Sequence, residues 1–88
     1  MTSNRARIDF DASAVLRKWP SLRSERRAGA APYQLIDGTL DECIRELMAK
    51  PVPARHLYEI HTSPQPPRVT AVLTGDEVAE LSRLRDFL

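Results

Sequence analysis

The 88-residue chain is poor in cysteine, glycine and aromatic residues: one Cys, three Gly, two Phe, two Tyr and one Trp. One cysteine permits no internal disulfide, so a disulfide-stapled scaffold is excluded and a reducing cytoplasm is the expected compartment. Three scattered glycines exclude collagen-like repeats and the Gly-rich cradle of a phosphate-binding loop. Long apolar runs are also missing. Stretches such as Ala71-Val72-Leu73 fall far short of the roughly 20 residues that span a bilayer, so no membrane role is expected. Neither the first seven residues nor the stretch after Arg26-Arg27 contains the apolar core of a secretory or twin-arginine leader.

What remains is the composition of one small globular domain, 42% hydrophobic and 28% charged. The overall charge of +1 conceals a division. Residues 1–32 carry seven basic and three acidic side chains, whereas residues 33–88 carry six basic and nine acidic ones. A basic arm before an acidic body either meets an anionic partner or lies against its own domain. The dominance of Arg over Lys, 11 to 2, is attributed to GC-rich bacterial coding and adds little to a case for phosphate recognition.

Within residues 1–32, Asp11 can cap a short helix over 11–19, with Phe10 and Val15 at hydrophobic-staple spacing and Pro20 as its stop. Two turns are too few to stand alone in water, so this helix must dock on something. Val15, Leu16 and Trp19, flanked by Arg17 and Lys18, fit the helix-in-groove mode of partner binding, and Arg26 and Arg27 extend its basic character. Docking on the chain's own sheet is the competing reading. Residues 21–32 read as a linker.

From Tyr33 onward the patterns are more regular. Tyr33-Gln34-Leu35-Ile36 reads as a strand ended by Asp37-Gly38. Thr39-Leu40-Asp41-Glu42 is a capping box, followed by the one-sided stripe Leu40, Ile44, Leu47 and Met48 of a helix that Pro51 and Pro53 stop. His56–Thr62 is a second strand, a Pro-rich reversal follows, and residues 69–73 form a third. Thr74-Gly75-Asp76-Glu77 opens a second capped helix, with Val78, Leu81, Leu84 and Leu88 as its apolar stripe. The order predicts a small two-layer α+β domain, β-α-β-β-α over 33–88. Its three-stranded sheet carries two helices on one face, with the first two strands parallel and the last two a hairpin. A basic, partly disordered N-terminal arm precedes it over 1–32.

Few residues suggest chemistry. On a strand, Glu59 and His61 share a side and could form a ligand or acid–base pair, with His56 on the opposite face. Two ligands are too few for zinc, and an exposed ion pair is the commoner outcome. Cys43 borders the Leu40/Ile44/Leu47 stripe and is read as buried packing. The acidic first turns after Asp37-Gly38-Thr39 and Thr74-Gly75 would repel phosphate. Pro64-Gln65-Pro66-Pro67-Arg68 contains a minimal PxxP, but the reversal needs those prolines anyway.

The sequence therefore points to a non-catalytic cytoplasmic protein that acts by protein–protein contact, as a homodimer, with no cofactor or metal. A small nucleic-acid-associated regulator using the basic arm is the first alternative. A small enzyme or ligand-binding domain built on Glu59 and His61 is the second.

Overall fold

The computed structural model describes residues 8–22 and 25–87. The expected charges at Arg5, Arg7 and Arg23, and Leu88 at the end of the second helix's stripe, lie outside the described residues. The α+β architecture is present, but the sheet has four strands, all antiparallel to their neighbours. They are β1 (Ser13–Lys18), β4 (Tyr33–Thr39), β5 (Tyr58–Thr62) and β6 (Val72–Thr74), in the spatial order β4-β1-β5-β6. A separate two-stranded ribbon, β2 (Ser21–Leu22) with β3 (Glu25–Arg26), lies between β1 and β4 in the chain. The helices are α1 (Leu40–Met48) and α2 (Gly75–Phe87), and a 3-10 helix covers Val52–Leu57.

The largest departure from expectation is at the N-terminus. The segment expected as a helix over 11–19 is the strand β1, and it lies inside the sheet rather than on an arm. Its side chains alternate: Ala14 and Leu16 are buried, while Ser13, Val15 and Arg17 point to the other face. A two-turn helix would have to bear the cost of nucleation without a dedicated partner. As an inner strand the same residues are hydrogen-bonded along both edges and bury Leu16 completely. Asp11 does not cap a helix; its own backbone N–H donates to the Asp9 carboxylate at 3.0 Å, in a turn that leads into β1.

This insertion also changes the topology. β4 and β5 run in the same direction, as the α1 crossover suggested, but β1 lies between them and is antiparallel to both. β4 extends past its expected end through Asp37-Gly38 to Thr39, with an irregularity opposite Leu16 and Arg17 that leaves Leu35 out of the ladder. A Cβ at Gly38 would displace the Glu42 carboxylate from its reach back to the Thr39 amide, so the glycine makes room for the capping box. β5 begins at Tyr58, so His56 belongs to the 3-10 helix and not to a strand. β6 is shorter and later than expected, and Val69 is buried through an isolated bridge with Gln65.

Both helices cover one face of the sheet. Leu16 stands opposite Ile36 and Ile60, and Ile60 opposite Leu73, giving an apolar rung across all four strands. Leu40, Cys43, Ile44 and Leu47 of α1 and Val78 and Leu81 of α2 close over it. The α1 capping box is complete: the Thr39 hydroxyl accepts from the Glu42 amide, and the Glu42 carboxylate accepts from the Thr39 amide. In α2 the box is half formed, with the Glu77 carboxylate accepting from both the Thr74 amide and its hydroxyl. Arg55 satisfies the last carbonyl of α1 and one just beyond it, donating to Met48 O and Lys50 O at 2.9 and 3.1 Å. Arg85 of α2 pairs with Asp41 of α1 at 2.7 Å and ties the helices together.

Because β1 carries the central rung, Leu16→Ala should lower stability by about 2–5 kcal/mol in urea denaturation. Leu22→Ala, on the exposed ribbon, should change it by no more than about 0.5 kcal/mol.

Candidate functional site

The sheet face away from the helices is set out in two rungs by the strand register. The first holds Asp37, Val15, His61 and Val72; the second holds Gln34, Arg17, Glu59 and Thr74. Trp19 follows just beyond β1, where its backbone N–H donates to Leu57 O at 2.7 Å and prolongs the β1–β5 ladder.

At the centre of this face is Glu59, a carboxylate only 7% exposed. Trp19 Nε1 donates to its Oε1 at 2.9 Å and His61 Nε2 donates to its Oε2 at 2.5 Å. Burial alone would raise the Glu59 pKa. The hydrogen bonds from Trp19 and His61, with the charges of His61 and Arg26, outweigh that effect and hold it below the ordinary carboxylate value. Arg26 of the ribbon lies 4.7 Å from the Trp19 ring centre and donates to His56 O at 2.9 Å, clamping the ribbon onto the 3-10 helix. The exposed ion pair expected from sequence is therefore half right: the Glu59 carboxylate is buried, while the His61 side chain remains 36% exposed.

The candidate partner-binding residues are dispersed by the strand. A helix would gather Val15, Leu16 and Trp19 on one side; β1 sends Leu16 into the core and leaves Val15 on the open face. Lys18 lies on the core side at the sheet's end, its ammonium 6.0 Å from the Tyr58 ring centre, with Lys50 at 5.5 Å from the same ring. Arg17 is on the open face, Arg26 stacks on Trp19, and Arg27 is exposed. The meeting of Trp19 and Arg26 with Glu59 and His61 was not foreseen. The available signal was the alternation of Ala14, Leu16 and Lys18 against Val15 and Arg17, which marks a strand and puts the residues after it in line with β5.

Chemically, the Glu59 carboxylate can only accept, so His61 Nε2 carries a proton in this contact. The cross-strand neighbours of His61 are Val15 and Val72, so the imidazole opens onto aliphatic side chains. Among the described residues no cluster of three or more His, Cys, Asp or Glu could hold a metal ion. Cys43 is fully buried, and burial, with Glu42 and Asp37 nearby, pushes its thiol up to about 11. A cleft of about 250 Å³ separates the ribbon, the 3-10 helix and the start of α2, with Arg26, Arg55, His56 and Asp76 in its walls. Both arginines there already donate to backbone carbonyls. No helix of the described residues is long and apolar enough to cross a membrane. No family model, curated protein or solved structure matches this chain.

Two outcomes follow from this geometry. Glu59 stabilises the fold as a carboxylate, fully above its ordinary titration range and less as pH falls through its lower folded value. Acid unfolding of the wild type should therefore steepen below about pH 4.5, and Glu59→Gln should flatten that limb; Trp19→Phe should cost about 1.5–3 kcal/mol at neutral pH, read by circular dichroism. A thiol reagent at pH 8 should modify Cys43 roughly 100-fold more slowly in native protein than in urea.

Proposed function

We propose that this chain is a non-catalytic protein–protein interaction domain that works as a homodimer, through the sheet face the helices leave uncovered. One observation carries this reading: the Trp19, Glu59 and His61 groups at the middle of that face are already joined to one another, while aliphatic side chains border them. Both Glu59 oxygens are occupied, and the rung beside them presents Val15 and Val72, the latter 42% exposed. Leu35 at the β4 irregularity and Leu22 on the ribbon are exposed as well. A reacting group would need a free, aimed side chain, whereas the Glu59 carboxylate and the His61 imidazole are engaged with each other; the aliphatic side chains beside them supply the apolar area that a contact surface uses.

The sheet edges offer a poorer surface. β6 has three residues, and β4 is interrupted at Leu35 and carries Asp37, both features that blunt strand addition. The open face measures about 19 by 17 Å, from four strands about 4.8 Å apart and about five residues at a 3.3 Å rise. That is about 320 Å² per partner, well under the roughly 800 Å² of a standard interface, so only weak self-association at high concentration is expected.

Light scattering after size exclusion should give twice the chain mass at several hundred micromolar and move toward the monomer on dilution. A single-chain mass throughout would overturn the dimeric reading. Retention on heparin that falls steeply with salt would replace it with a nucleic-acid role.

A further inference from the structure

Two charges on the open face have no counterpart in the fold. Arg17 stands directly opposite Glu59, yet both Glu59 oxygens accept from Trp19 and His61 instead. Its Nε is buried without a hydrogen-bond partner, and its guanidinium forms no ion pair among the described residues. A shielded N–H without an acceptor is costly, and folded proteins rarely leave one so. On the neighbouring rung Asp37 is exposed, paired in register with Val15, and makes no hydrogen bond or ion pair among the described residues. The two are diagonal neighbours on β1 and β4, but they do not meet within the chain.

From this we infer that the open face is an isologous interface with a second copy of this chain, in which Arg17 of each protomer pairs with Asp37 of the other. A two-fold axis lying parallel to the sheets and passing between the two positions exchanges them, so both pairs form at once. Val15, on the same rung as Asp37, then packs near that axis, with Val72 beyond His61 toward the rim. The remaining carboxylate of the face, Glu59, is already matched by His61 and Arg26, so no like charges are brought together at the centre. The incoming carboxylate meets the terminal nitrogens of the Arg17 guanidinium, not its shielded Nε, in a charge-assisted contact. The inference rests on the homodimeric reading above and adds to it the symmetry and the pairing residues.

Reciprocal charge reversal tests it on the full chain by sedimentation equilibrium. Arg17→Glu and Asp37→Arg should each raise the dimer dissociation constant at least about tenfold, because each brings like charges together. An equimolar mixture of the two variants should regain wild-type association within a few-fold, as a heterodimer in which both pairs are of opposite charge. Asp37→Asn, a mild change at an exposed position, should weaken the dimer several-fold without altering the circular dichroism spectrum. A wild type that dimerises but is insensitive to Asp37→Asn and to reversal, or reversed variants that fail to recover on mixing, would overturn the pairing and leave the dimeric reading in place. A monomeric wild type would overturn both.

Discussion

The fold depends on the apolar rung that Leu16 shares with Ile36 on one side and Ile60 on the other. It runs through the middle of the sheet, is closed by Leu73 at one end, and is the floor on which α1 and α2 lie. Without β1, strands β4 and β5 would face each other across an empty lane, and the core of α1 would lose its central support. This strand is thus the structural keystone, although its composition is mixed and it ends in Arg17 and Lys18.

The same strand explains the opposite face. Because alternate side chains leave β1 in opposite directions, each core residue fixes the position of an outward neighbour. Burial of Leu16 places Arg17 beside Glu59, and the ladder that holds Lys18 against Tyr58 continues to set Trp19 over β5. Glu59 then gathers Trp19 and His61, and the β2–β3 ribbon is pinned by Arg26 on the Trp19 ring. A buried carboxylate with three cationic or donor neighbours costs little to keep charged, and it gives the small domain a polar point of reference that hydrophobic packing alone does not supply.

Several parts of this architecture were legible in sequence. Thr39 and Glu42 mark the start of α1 through local chemistry alone, and the spacing of Leu40, Ile44 and Leu47 defines its buried side. The β5–β6 hairpin and the second helix follow from similarly local signals. The failures were non-local. Ser13–Lys18 is only six residues long, and both a staple-and-cap reading and an alternating reading fit it. The choice between them is made by β4 and β5, which lie far along the chain, so no window around Val15 contains the deciding information. The site was missed for the same reason: Glu59 and His61 were recognised as sharing a side, but Trp19 and Arg26 reach them only once β1 has been placed between its neighbours.

The position of β1 also bears on synthesis. Ala14 pairs with Thr62, 48 residues later in the chain, so the inner strand of the sheet is made first and completed late. On a ribosome, Ser13–Lys18 must emerge with both edges bare, and it can gain only β4 as a neighbour until the segment through Thr62 has left the exit tunnel. The polar and charged residues interspersed through this segment, Ser13, Arg17 and Lys18, keep the waiting strand hydrated and discourage it from pairing with another nascent chain.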